Sequence, residues 1–208
     1  KYAAAKKAAL GFFEAAGYKV ENGKIVSAPE GAKMEYVVMV PGGGTGDHPS
    51  FMLMTESQKA LADIGMKLTI NDLTNVADMW NKLEAGQAEI WCAAWQSTPD
   101  PDMYQIYYSD VANGGKQPGG SNDRYQIEDA DLDSMIMTAR ESTDQEYRKT
   151  IYKACLDKII DWSCEVPIYQ RKEVTIFSAE RLQVDTITPD ISSFYKWYSE
   201  VENLQLAK

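Results

Sequence analysis

The chain has 208 residues, enough to bury a full core as one large domain or two small ones. It is 44% hydrophobic and 25% charged, with a formal net charge of −10 and no basic cluster. That balance argues against nucleic acid and anionic membrane as partners, and no apolar run approaches the roughly 20 residues of a transmembrane helix.

Neither a Met nor a charged-then-apolar leader stands before Lys1. The expectation is a removed leader or a piece of a longer chain. Ala3 to Ala16 predicts a helix with Leu10 and Phe13 on one face and Gly17 as its stop. Asn22-Gly23 is a turn. Met34 to Val40 reads as a strand apolar on both faces, as in a sheet covered on both sides. Pro41 to Pro49 is a glycine-rich loop. Phe51, Met54, Leu61 and Ile64 mark a helix that Gly65 ends. Lys67 to Leu73 reads as a strand, and Val76, Met79, Trp80 and Leu83 mark a helix that Gly86 ends. Glu89 to Trp95 is a third strand. Residues 34–95 therefore read β-α-β-α-β, the pattern of a mainly parallel sheet in an α/β fold.

Beyond Asp110 lies a polar stretch, Asn113 to Ser121. One helix is expected over Glu128–Arg140. Another opens with a capping box, Thr143 and Glu146, and runs to about Trp162. Cys164–Gln170 and Glu173–Phe177 read as strands. Phe194, Tyr195, Trp197 and Tyr198 either form a local core, the favoured reading, or pack on a part of the protein outside this chain.

The candidate chemistry centres on Ala88 to Asp110, a hydrophobic strand that breaks into Pro99-Asp100-Pro101-Asp102 and resumes as an aromatic helix start. Ligand crevices of open α/β sheets lie outside the carboxyl ends of the strands. Two prolines leave this loop few conformations to lose on binding. Trp80, Trp91, Trp95, Tyr104, Tyr107 and Tyr108 cluster around it. Trp91 and Trp95, four apart, share a face if the strand runs through both. A Trp at the strand's carboxyl end offers apolar area with a polar handle.

Other chemistries find less support. The loop Pro41–Asp47 lacks the Gly-Lys-Ser/Thr ending of a phosphate loop. His48 is the sole histidine and stands before Pro49 at a helix start, a poor place for a catalytic base. Asp100 and Asp102 read as turn formers rather than metal ligands. Cys92 reads as a small buried hydrophobe. Cys155 and Cys164 would lie about 13 Å apart on one helix, too far for a disulfide. The expectation is no catalytic residue, no metal and no cofactor.

The ordered pieces Ala15-Ala16-Gly17-Tyr18, Leu61 to Leu68, Ala94-Trp95, Pro99-Asp100-Pro101, Ser121-Asn122, Leu132 to Ile136, Ala139-Arg140, Asp144 to Arg148 and Val166-Pro167-Ile168-Tyr169 resemble the C-terminal lobe of family 5 extracellular solute-binding proteins. These are the oligopeptide-, dipeptide- and nickel-type receptors of ABC importers. The resemblance implies a class II periplasmic-binding-protein-like lobe, with a mixed, mainly parallel sheet flanked by helices. It implies that residues 1–188 are this lobe and that 189–208 pack on a missing N-terminal lobe. It further implies a small solute or peptide held between two lobes, delivery to a permease, and an extracytoplasmic place, periplasmic or lipid-anchored. Its wall would be Trp95, Gln96, Ser97, Thr98, Asp100, Trp80 and Asn122. Thr98 stands where many peptide binders have the Asp that pairs with a peptide amino terminus, and the spacing from Trp95 to Pro99 is one residue short. Asp100 takes that role, or the ligand is not a free peptide. The alternative reading is a small α/β hydrolase using Asp100 or His48.

Overall fold

The computed structural model describes residues 1–96, 98–113 and 122–207, without the side chains of Asn113, Asn122 and Asp123. Two compact units make up the chain, Lys1–Trp95 and Gln96–Lys208.

In the first unit, helix α1 (Tyr2–Ala15) leads into an antiparallel hairpin of β1 (Lys19–Glu21) and β2 (Lys24–Ser27). Asn22 and Gly23 between them both have positive φ, the backbone a two-residue hairpin turn demands. The expected turn is there; its two flanking strands, of three and four residues, are too short to show an alternating apolar pattern in the sequence. Leu10 and Phe13 of α1 pack on Tyr18, Ile25, Ile64 and Met66, as their shared face predicts.

The main sheet follows the expected β-α-β-α-β order. Strands β3 (Glu35–Val40), β4 (Lys67–Asp72) and β5 (Ile90–Trp91) are all parallel, in the spatial order β4-β3-β5. Helices α2 (Pro49–Asp63) and α3 (Val76–Glu84) make the crossovers. Alternation along β3 sends Val38 and Val40 to one face, against Leu68, Cys92 and the α2 residues Phe51, Met54 and Leu61. Met39 points to the other face, against Leu73, Trp91 and the α3 residues Met79, Trp80 and Leu83. The sheet is therefore covered on both sides, and each fully buried residue such as Met79 contributes about 1.5–3 kcal/mol of burial.

Strand β5 is shorter than the expected Glu89–Trp95. Its register pairs Met39 with Trp91, and the Cys92 N–H adds one more bond to the Met39 carbonyl. The next position of β3 is Val40 and then Pro41, which has no N–H to donate. With no partner left, the chain from Ala93 to Trp95 leaves the ladder. The shared face expected for Trp91 and Trp95 is not enforced, because they do not lie on one strand.

The second unit contains α4 (Tyr104–Tyr107), α5 (Asn122–Tyr125), α6 (Ala130–Glu141) and α7 (Gln145–Trp162). Leu132, Ile136 and Ala139 of α6 meet Tyr152, Cys155 and Ile159 of α7, with Ile127, Met103, Tyr104 and Tyr107 closing the cluster. The spacings of three and four are those of facing helical stripes. Asp129 caps α6 through the Asp131 and Leu132 amides. Asp144, not Thr143, caps α7 through the Glu146 and Tyr147 amides. A charged acceptor at the positive end of the helix outcompetes the neighbouring hydroxyl, which moves the start by one residue.

Two further expectations are corrected. Neither 164–170 nor 173–177 forms a strand. Their backbone has no ladder partner among the described residues, and Val166, Val174 and Ile176 are 78%, 75% and 93% exposed. A strand needs a neighbour, and apolar alternation alone does not supply one. The aromatic run Phe194–Tyr198 does not gather into a local core; its large rings stay partly exposed, with Trp197 edge-on to Tyr198. All three cysteines are free, Cys92 and Cys155 buried and Cys164 exposed. Among the described residues, no helix is long and apolar enough to cross a membrane.

Candidate ligand-binding site

The strand order determines where a ligand crevice belongs. After β3 the chain crosses to β4 on one side; after β4 it crosses back past β3 to β5 on the other. The loop after β3 leads toward β4, away from β5, so the carboxyl-end loops of β3 and β5 flank the kind of position at which open α/β sheets bind ligands. Here those loops are Pro41–His48 and the stretch after Trp91 that carries Trp95.

Within the first unit, Trp95 is 37% exposed at the end of its stretch. Trp80 lies on α3, edge-to-face with Trp91 at 6.2 Å and 68°, and belongs to the core cluster around Met39. Its ring is committed to packing first. Across the sheet end, the glycine loop is tied down. The Gly43 N–H donates to the Leu73 carbonyl and the Gly46 N–H to Asp72 Oδ2, both at 2.9 Å. Thr45 Oγ1 donates to the Gly42 carbonyl at 2.9 Å. His48 is the N-cap of α2, and its Nδ1 accepts from the Ser50 N–H at 3.1 Å.

Within the second unit, the loop after Gln96 is organised by its own polar groups. The Thr98 hydroxyl donates to the Asp100 carbonyl at 2.6 Å. Arg148 Nη2 on α7 donates to both oxygens of Asp100, at 2.7 and 2.9 Å, while its Nε donates to the Ala139 carbonyl at 3.1 Å. Arg140 Nε lies 3.1 Å from Asp102 Oδ2, and its guanidinium stacks 4.0 Å from the centre of the Tyr104 ring. Asp102 Oδ1 accepts from the Tyr104 N–H and starts α4. Two arginines from the α6–α7 end thus clasp the Pro-Asp-Pro-Asp loop. Asp100, one of the two alternatives expected for meeting a ligand amine, is the acceptor of this clasp. Gln96 is exposed. Ser97 and the side chain of Asn122 fall outside the described residues.

Nearby, Tyr107 donates to Glu165 Oε2 at 2.6 Å, and burial, then that carboxylate, push its phenol well up. It stays protonated and serves as a fixed donor. Sequence reasoning also missed Asp133, a buried carboxylate that gathers the Ser109 and Val111 amides. The available signal was an acid on the apolar stripe of α6, one helical turn before Ile136. Among the described residues, no group of three or more His, Cys, Asp and Glu side chains is placed to hold a metal ion.

No protein-family model matches the chain, and no curated protein does. Solved structures do. AppA of Bacillus subtilis, an oligopeptide-binding protein in complex with a nonapeptide, matches 98% of this chain and 37% of its own at 17% identity, with a TM-score of 0.61. NikZ of Campylobacter jejuni, in complex with Ni(L-His), matches 76% of this chain and 30% of its own at 20% identity, with a TM-score of 0.60. A nickel ABC transporter protein of Bacillus halodurans matches 76% and 31% at 17% identity, with a TM-score of 0.54. The chain's fold is similar to part of each of these structures. The chain spans 30–37% of the length of these three structures. The parallel sheet flanked by helices, expected from the resemblance, is present.

Proposed function

We propose that the chain is the C-terminal lobe of an ABC-importer solute receptor, which captures a peptide or similar small solute and hands it to a membrane permease. The observation that carries this reading is the β4-β3-β5 order, whose β3–β5 boundary is the kind of place where open α/β sheets take ligands, in a fold similar to parts of an oligopeptide-binding protein and of NikZ. On this reading the solute-contacting residues are drawn from Trp95, Gln96, Ser97, Thr98, Asp100, Trp80 and Asn122. The protein is a binder and not an enzyme, and it works outside the cytoplasm, in a periplasm or held at the cell surface.

The exposed apolar segments fit the same reading. Val166, Ile168, Val174 and Ile176, with the aromatics of 189–208, form the surface that the remainder of the receptor covers. The hydrolase alternative has no supporting geometry, since His48 Nδ1 and the Asp100 carboxylate are already engaged.

The test is calorimetry on the full-length receptor against a panel of short peptides and nickel–histidine, with Trp95→Ala as the site variant. Binding by the wild type that weakens in Trp95→Ala supports the reading. Turnover of a peptide or ester, lost in His48→Ala, replaces it with the hydrolase.

A further inference from the structure

The glycine loop after β3 is fastened in one direction. Its Gly43 and Gly46 amides reach the Leu73 carbonyl and Asp72 Oδ2, both at the end of β4. The fit is close: a Cβ on Gly42 would lie 2.3 Å from Asp72 Oδ1, and one on Gly44 would lie 2.8 Å from the Thr74 methyl. Gly44 and Gly46 also have φ of +75° and +73°, a backbone that favours glycine. Asp72 Oδ1 is buried and, among the described residues, has no hydrogen-bond partner. Such an atom costs stability, and its retention calls for a reason.

The sheet order supplies one. Strand β4 flanks β3 on the side away from β5, so a loop tied to β4 is drawn off the β3–β5 switch point. We propose that Asp72 is a positioning residue that holds the glycine loop against the end of β4 and so keeps the ligand crevice between the ends of β3 and β5 open. This inference rests on the receptor reading above. A loop with glycine at 42, 43, 44 and 46 has wide backbone freedom once released. It then spends time over the switch point and competes with solute for the crevice. Apparent affinity falls by the fraction of molecules left competent; if one in ten stays open, the loss is about tenfold. The loss falls on the association rate, because the bound state excludes the loop in either protein.

The experiment uses the full-length receptor and the panel member that the wild type binds, with association and dissociation followed by stopped-flow tryptophan fluorescence, and melting measured alongside. Asp72→Ala is expected to lower the association rate about tenfold and leave dissociation near the wild-type value. Asp72→Asn keeps a carbonyl oxygen for the Gly46 N–H but sets an unpartnered NH2 at the Oδ1 position. It is expected to melt lower yet associate at the wild-type rate. A merely structural role lowers melting in both variants and changes association in neither, which overturns the proposal. Slowed association in Asp72→Asn equal to that in Asp72→Ala also overturns it. If Trp95→Ala weakens binding while Asp72→Ala associates normally, the receptor reading stands and this inference falls. If the wild type binds no panel member, both fall.

Discussion

Replacing Asp133 by Asn tests whether the second unit is organised around a buried carboxylate. Asp133 is 8% exposed. Its Oδ1 accepts from the Ser109 N–H at 2.6 Å, and its Oδ2 accepts from the Val111 N–H at 3.0 Å. Ser109 Oγ lies 2.9 Å from both oxygens and in turn accepts from the Asp129 N–H at 3.3 Å. Two backbone donors thus converge on the two oxygens. Whichever way an Asn amide turns, one N–H meets an NH2. The variant loses a hydrogen bond to a charged group, worth about 1.5–3 kcal/mol, and strands a buried donor at a cost of about 1–3 kcal/mol. These overlap, so the expected destabilisation is about 2–4 kcal/mol. Ser109→Ala leaves both amide bonds intact and should cost only about 1 kcal/mol. Urea unfolding at fixed pH, followed by circular dichroism, measures both. Asp133→Asn within about 0.5 kcal/mol of the wild type, or Ser109→Ala costing more than Asp133→Asn, refutes the reasoning.

Ile136→Ala, at a fully buried α6 position, should cost about 2–5 kcal/mol in the same assay, whereas Ile160→Ala, 68% exposed on α7, should stay within about 0.5 kcal/mol. Glu89 is held below the usual carboxylate range by the Lys33 ammonium and then by the Val37 N–H. A depressed folded pKa gives stability that is whole above the unfolded value of about 4.3 and is lost as pH falls through the lower folded value. The unfolding midpoint should therefore drop below about pH 4, and less steeply in Glu89→Gln. On the proposed receptor reading, Trp95→Ala in the full-length protein should weaken solute binding by about 1–3 kcal/mol, and Thr98→Ala by less, because its hydroxyl is spent on the Asp100 carbonyl.

Local signals carried the sheet and its helices. Val38 and Val40 beside Met39 announce a strand buried on both faces, and Gly65 and Gly86 stop their helices within a residue or two of the expected ends. What failed depends on distant partners. Ile90 to Trp95 looks like one strand, yet its length is set by Pro41, some fifty residues earlier in the chain. The apolar alternation in 164–177 is as good as that of a real strand but finds no neighbour. Asp100 reads as a turn former or a ligand contact because nothing nearby announces Arg148, 48 residues on. Trp95 was legible as a candidate wall residue; the arginine clasp on Asp100 and Asp102 was not.

That clasp bears on the choice between catalysis and binding. Hydrolysis needs a base free to take a proton and a nucleophile beside it. His48 gives its Nδ1 to a helix cap, and both oxygens of Asp100 accept from the Arg148 guanidinium. The same contacts serve a binder well. Pro99 and Pro101 restrict the loop, Arg148 and Arg140 fix it to α6 and α7, and Asp102 starts the next helix from it. A loop ordered at folding has less entropy to lose on binding than one that must be ordered by its ligand.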